Sequence, residues 1–290
     1  MRTLKNLLAA GAASLLSSAA FAADLPMPPP YIPPPVEDFG GWYLRGDIGF
    51  SNQKVKRFEM GDNRNARDLL SLNQTGSFDT AGIYQIGIGY QFNNWLRGDI
   101  TGQYRGNSNF KGTDLITFPA GGGLIGDGVN NYTGTKSEWV VMANGYVDLG
   151  TWWSVTPFIG AGVGMARVSI ADYTDNGAIN IGYAGGVPFF GGPFASYASA
   201  PAASKWNFAW AAHAGLAYKV NPAMTIELGY SYMNLGDGTT GAVSTYDGFT
   251  RGVPMQFKEI TSHDLKFGVR WALDPAPVYA PPMPPLMRKG

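Results

Sequence analysis

Residues 82–105 separate into two chemically opposite sets when read by alternate positions. Tyr84, Ile86, Ile88, Tyr90 and Phe92 share one parity, and Leu96, Ile100 and Tyr104 continue that character beyond Asn93-Asn94. Gln85, Gly87, Gly89 and Gln91, then Arg97, Asp99, Thr101, Gln103 and Arg105, take the other. Successive side chains of a strand point to opposite faces, so the stretch predicts a hairpin with one apolar and one polar face. Asn tolerates the left-handed backbone of a tight turn, which places the reversal at Asn93-Asn94. Each arm is about eleven residues, the length at which a tilted barrel strand crosses a bilayer.

The same unit recurs along the chain. Strands are predicted over 41–51, 81–92, 95–105, 137–149, 154–169, 206–220, 224–235 and 259–273. The segments 52–80, 106–136, 170–205 and 236–258 are polar or Gly-rich and read as long loops, whereas the other connections are short turns. Long and short connections alternate, so the strands run up and down with every short turn at one end. That asymmetry belongs to membrane barrels, which have short periplasmic turns and long external loops. The predicted fold is therefore all-β: a closed antiparallel up-and-down transmembrane β-barrel of about eight strands, since an open edge in lipid would leave backbone groups unpaired.

Tryptophan placement agrees with a membrane. Trp42, Trp95, Trp152, Trp153 and Trp271 fall towards the short-turn end, and Trp139, Trp206 and Trp210 towards the long-loop end. Amphipathic rings at both margins of an apolar band are what a bilayer interface selects.

Polarity decides which face is inside. The charged parity gathers Arg45, Arg97, Arg105, Lys219, Lys266 and Arg270 with Asp47, Asp99, Glu138, Asp148, Glu227 and Asp264. Each Arg or Lys at the lipid midplane costs roughly 2–4 kcal/mol, so these groups are expected inside the barrel. With about eight strands the lumen is only wide enough to be filled by side chains, and balanced charge there predicts a paired plug with poor conductance. A soluble carrier barrel, apolar inside and polar outside, is the opposite arrangement.

Residues 1–22 read as a secretory signal: Arg2 and Lys5 precede the apolar run from Leu7 to Leu16, and Ala20-Phe21-Ala22 is a small-x-small cleavage site. Residues 23–39 form a Pro-rich periplasmic leader, 40–273 the barrel and 274–290 a Pro-rich periplasmic tail, both flanks serving as spacers or engaging a periplasmic partner. Lys+Arg and Asp+Glu are equal at 21 each, which gives no basic stripe for nucleic acid. Cys is absent, so no disulfide framework is available. His213 and His263 are the only histidines; His213 is expected in the lumen and His263 near the outer end of the last strand. No spacing suits a metal centre, and no cofactor is expected. Gly160-Ala-Gly162-Val-Gly164 brushes the dinucleotide fingerprint, but no helix follows, and close backbone approach within a strand explains it better. Asp172, Asp175, Asp237 and Asp247 are read as solvated loop carboxylates in preference to a cation site or a bridge to lipopolysaccharide.

The segments from Gly40 to Ser51 (GGWYLRGDIGFS), Pro157 to Val168 (PFIGAGVGMARV), Glu227 to Gly236 (ELGYSYMNLG) and His263 to Leu273 (HDLKFGVRWAL) together resemble the small outer-membrane porin-family proteins of alphaproteobacteria, with an OmpA-like eight-stranded barrel. The resemblance covers about 40–273. It implies a surface protein of the cell envelope that contributes to outer-membrane integrity and host contact; some relatives are described as haemin binders or adhesins. Implied partners are outer-membrane lipid, lipopolysaccharide and the barrel-assembly machinery. Two departures stand out: such barrels usually stop at a terminal aromatic, whereas residues follow Trp271, and no peptidoglycan-binding domain follows the barrel. The reading as a whole is a non-enzymatic, structural, surface-exposed outer-membrane barrel. A diffusion porin, a surface ligand-binding protein carried by the aromatics around Phe189, Phe190 and Phe194, and a soluble periplasmic lipid carrier are the rivals.

Overall fold

The computed structural model describes residues 40–61, 69–246 and 250–274. The expected signal peptide, the leader and all but the first residue of the tail lie outside the described residues, as does Asp247. Ten strands form one antiparallel sheet: β1 (Gly41–Met60), β2 (Ser71–Phe78), β3 (Ala81–Gln91), β4 (Leu96–Gly121), β5 (Leu124–Asp148), β6 (Val155–Ala184), β7 (Val187–Ala200), β8 (Ala203–Lys219), β9 (Met224–Thr245) and β10 (Thr250–Ala272).

Hydrogen bonding runs in a ring. β1 pairs β3, which pairs β4; the chain of pairing continues through β5, β6, β8, β9 and β10, and β10 returns to β1. The closing ladder runs from Tyr43 opposite Ala272 to Met60 opposite Met255. Eight strands thus complete the circuit, as the alternation predicts. β2 and β7 are upward continuations of β3 and β8, each separated by a two-residue break. Asp79-Thr80 interrupts the first; Asp79 N–H still reaches Asn109 O at 2.9 Å. Pro201-Ala202 interrupts the second, where Pro has no N–H to give the ladder and the facing Asp172 adopts φ 53°.

The four predicted long loops are mostly strand, which corrects the sequence reading. β4 and β5 stay paired as far as Gly121 opposite Leu124, and β6 and β7 as far as Ala184 opposite Val187. β6 alone has 30 residues, about 100 Å of strand, against an apolar band of about 25 Å in membrane barrels. The upper staves escape the sequence reading because their parity is inverted. In the lower part apolar residues point out and polar ones in. Above Phe50 on β1 the outward residues become Asn52, Lys54 and Lys56, while Phe58 turns inward. On β4 a bulge between Arg105 and Ser108 precedes the same inversion, with Asn109 and Lys111 outside and Phe110 inside.

The interior therefore has two chemistries. The upper half is a hydrophobic core of Phe58, Phe78, Phe110, Phe257, Tyr132, Tyr173, Ile170, Leu235, Met255 and neighbours. Phe58 and Phe110 meet edge to face at 5.2 Å, and Phe110 and Phe257 at 4.9 Å, an arrangement aromatic rings favour. The lower half is ionic.

Two of the short turns rest on Asn side chains. Asn93 Oδ1 accepts from Trp95 N–H at 3.0 Å and Leu96 N–H at 2.8 Å; Asn221 Oδ1 does the same for Ala223 and Met224, at 2.9 and 2.8 Å. Asn93 thus acts through its side chain rather than through left-handed backbone. In the remaining short turn Gly150, Trp153 and Ser154 carry positive φ values of 110°, 51° and 66°.

Candidate functional site

Parity on each lower strand delivers the ionic residues to one place. Arg45 and Asp47 come from β1, Arg97, Asp99 and Arg105 from β4, Glu138 and Asp148 from β5, Glu227 from β9, and Asp264, Lys266 and Arg270 from β10. Arg97 and Arg105 have no accessible surface, and Arg45, Asp47, Asp99, Glu138, Asp148, Glu227, Asp264 and Lys266 are also buried. Arg270 is nearly so, its side chain 12 % exposed. Lys219 is the exception. It sits at the short-turn end of β8, past the last ionic layer, where it is exposed and joins no ion pair among the described residues.

The lower layer centres on Arg45 and Glu227. Arg45 grips Asp47 through two bonds, Nε to Oδ2 at 3.0 Å and Nη2 to Oδ1 at 2.7 Å. Its Nη1 donates to Asp99 Oδ2 at 2.8 Å and to the Tyr146 hydroxyl at 3.1 Å. Glu227 collects three cations at 3.3 Å: Arg45, Arg97 and Arg270. Arg97 also donates to Asp148 at 3.2 Å, and its guanidinium lies 4.3 Å from the Tyr146 ring centre and 4.7 Å from that of Phe158. Such stacking suits a planar, weakly hydrated cation better than an ammonium.

The upper layer centres on Arg105. It is paired with Asp264, donates to Ser51 at 2.8 Å and Ser262 at 3.0 Å, and lies 3.8 Å from Glu138. Glu138 is also paired with Lys136, a buried cation that the sequence reading leaves in a loop. Amides connect the layers: Gln85 donates to Asp47 at 2.7 Å and accepts from Gln103 at 3.1 Å, and Gln103 in turn accepts from Arg105 at 3.0 Å. His213 lies within the wall, 2.8 Å from Ser231 Oγ and 3.2 Å from Asn144 Oδ1. A void beside it, lined by Arg45, Glu227, Ser231 and Lys266 among others, has about 10 Å³ of water-sized space, roughly what a single water needs.

The opposite parity points away from the lumen. Leu44, Ile48, Phe50, Ile86, Ile100, Val163, Phe208, Leu228, Leu265 and Phe267 are exposed, Ile86 by 75 %. Exposed apolar surface on this scale marks a face with a partner. The eight tryptophans Trp42, Trp95, Trp139, Trp152, Trp153, Trp206, Trp210 and Trp271 are all exposed along its two margins. At the lower margin Trp42 meets Tyr90 at 5.3 Å; at the upper margin Trp139 meets Tyr104 at 4.9 Å and Trp210 meets Tyr232 at 5.6 Å. His263 joins the upper margin, 5.3 Å from Tyr232, with Nδ1 2.6 Å from the Tyr230 hydroxyl.

Above that margin, Asp237 accepts from Lys205 at 3.2 Å, Lys258 at 3.3 Å and Glu259 N–H at 3.1 Å. Burial raises its carboxyl pKa, but these donors more than offset that and hold it below the ordinary value. No group of three or more His, Cys, Asp or Glu suited to a metal occurs among the described residues.

Comparison with known proteins identifies the class of molecule. A family model described as outer membrane protein beta-barrel domain matches residues 8–272. An uncharacterized protein of Brucella abortus strain 2308 is 32 % identical over 234 residues, covering 76 % of this chain and 78 % of its own length. The outer membrane protein PagN of Salmonella typhimurium is 28 % identical over 204 residues, covering 68 % and 75 %. Among solved structures, the outer membrane protein OprG from Pseudomonas aeruginosa superposes with a TM-score of 0.42 at 10 % identity, covering 81 % of this chain and 97 % of that one. Neisserial surface protein A gives 0.39 at 16 % identity, covering 80 % and 96 %.

Proposed function

The chain belongs to the outer membrane protein β-barrel domain family and resides in the outer membrane, and on that premise we propose that it is a structural, surface-exposed envelope protein whose lumen is closed by its own side chains. One observation carries this reading. The lower lumen is crossed by a buried, charge-balanced network in which Arg45, Arg97 and Arg105 each bind carboxylates from other strands. Opening a passage would separate these pairs, and unpairing a buried charge costs about 3–5 kcal/mol. The aromatic core above adds a second obstruction. The short-turn end then faces the periplasm, and the protruding hairpins face the exterior. This reading assigns no catalysis, because the ionic side chains are committed to one another and His213 to Ser231 and Asn144. Its partners are outer-membrane lipid and, during biogenesis, the assembly machinery that recognises the last strand. A periplasmic partner, if the protein has one, is assigned to the Pro-rich flanks 23–39 and 274–290.

Planar-bilayer recording of the refolded mature chain tests the closed lumen: no stable large steps are expected, and regular porin-sized steps would establish a diffusion porin instead.

Exposed aromatics favour a second reading as a surface binder of haemin or a host receptor. Phe189, Phe190 and Phe194 on β7 are 42 %, 61 % and 37 % exposed, with Phe189 and Phe194 edge to face at 5.7 Å. Replacing 177–195 with a short Gly turn leaves the β6–β8 ladder below it intact. Undiminished haemin or cell binding by that folded variant would remove the second reading.

A further inference from the structure

We propose that the outer face of the protruding hairpins β4–β5 and β6–β7 is a docking surface for a polypeptide segment that carries Lys or Arg among apolar side chains. The proposal deepens the second reading given above, surface binding, and rests on that reading and on the same orientation, with the hairpins outside the cell.

Ladder register puts the residues concerned on one face. From Trp139 upward the odd positions of β5 are the outward ones, among them Val129, Asp127 and Ile125. On β4, Leu115 stands opposite Val129, Thr117 opposite Asp127 and Pro119 opposite Ile125. On β6, Asn180 is tied to Asp127 by two hydrogen bonds. Its Oδ1 accepts from the Asp127 N–H at 2.8 Å, and its Nδ2 donates to Asp127 Oδ2 at 3.2 Å. One row higher, Phe189 on β7 stands opposite Gly182. A Cβ at Gly182 would strike the rings of Phe189 and Phe194, so both rings lie over that glycine on the outward side. Leu115 and Ile125 are 53 % and 51 % exposed. The surface is an apolar patch with one exposed carboxylate, Asp127, at its centre.

Height and charge choose the occupant. Asp127 lies twelve residues above Trp139 on β5, about 40 Å of strand. Even at a barrel tilt of about 45° that clears the headgroup layer, so lipid does not cover the patch. A contiguous apolar surface standing in water marks a contact with another macromolecule. Residues 112–135 and 171–203 contain Asp114, Asp127, Asp172 and Asp175 but no Lys or Arg. Asp127 itself joins no ion pair among the described residues. A phosphate, a sulfate or the carboxylates of haemin would meet uncompensated negative charge here. A second copy docked about a two-fold axis through the patch would set Asp127 against its own image. A cationic side chain instead pairs with Asp127, and the rings of Phe189 and Phe194, edge to face at 5.7 Å, attract the same charge while flanking its apolar neighbours.

The test is selection of a phage-displayed random peptide library on the full mature chain in nanodiscs of uncharged lipid, followed by fluorescence anisotropy with the enriched peptides. These are expected to carry Lys or Arg beside aromatic or branched aliphatic residues. Asp127→Asn, which can still accept from Asn180, should weaken their binding about fivefold, the worth of one exposed ion pair. Salt at about 0.5 M should erase that difference. Ile125→Ser should weaken binding about tenfold, while Lys54→Gln on β1, away from the patch, should leave it unchanged. Heat-modifiable migration confirms that each variant folds. No enrichment over empty nanodiscs, enrichment of acidic or uncharged peptides, equal affinity for Asp127→Asn, or a difference that persists in high salt would overturn the proposal. Surface labelling of Phe190→Cys in whole cells tests orientation separately, and the 177–195 replacement tests the second reading, so the failures are distinguishable.

Discussion

Arg105 shows what a single residue does inside this wall. It joins Asp264, Ser51, Ser262 and the neighbourhood of Glu138 in a place without water access. Arg105→Ala leaves Asp264 buried and uncompensated, and is expected to cost about 3–5 kcal/mol, read as a lower urea midpoint for loss of the heat-resistant gel form. Gly164 makes a different point. A Cβ there would land on the Val141 carbonyl oxygen of the neighbouring strand, and backbone cannot swing aside. Gly164→Ala is expected to lower stability by about 1–3 kcal/mol or to prevent folding, whereas a Cβ at Gly102 meets nothing within 4 Å and Gly102→Ala should fold normally. At this scale the buried ionic set could be read from sequence, because a charge between outward apolar neighbours declares its own parity. Lys136 could not, since Thr135 and Thr133 beside it give the outward face no apolar mark. Lys219 misleads for the converse reason: parity places it inward but says nothing of where the wall ends.

Among the elements, the eight staves are set by alternation and their heights are not. Below the upper aromatic margin the period-two pattern carries its apolar residues outward; above it the same period continues with the sign reversed. A reading that looks for outward grease stops at the margin and leaves the rest as loops. Phe58, Phe110 and Tyr132 were the available clue, as isolated aromatics at strand spacing in polar text. Asp237 ties β8, β9 and β10 together at this boundary. Its folded pKa is depressed, so its contribution is present above the ordinary carboxylate value and fades as pH falls through the folded one. Acidification below the ordinary Asp range should therefore increase amide exchange around 236–259 in the wild type. In Asp237→Asn the exchange should already be raised at neutral pH and no longer respond to Asp237 protonation; identical profiles for the two proteins would refute this role.

For the whole molecule the governing choice is which solvent each surface meets. The lower cylinder turns Leu44, Ile86, Ile100, Val163 and Phe267 outward and keeps its ions within; the upper cylinder is arranged like a water-soluble barrel. Closure of the hydrogen-bonded ring through β1 and β10 is what permits the lower half to sit in lipid, because no edge remains to be solvated. The absence of Cys lets that choice be measured with few perturbations. Nitroxide labels placed singly at Ile48, Ile86, Ile100, Val163, Leu228 and Phe267, with Lys56 and Lys111 as references above the margin, report their solvent in bilayers by collision with oxygen or with a water-soluble nickel complex. The account predicts that oxygen relaxes the first six strongly and nickel hardly at all, with the reverse at Lys56 and Lys111; nickel relaxation at the six as strong as at the two references would contradict it.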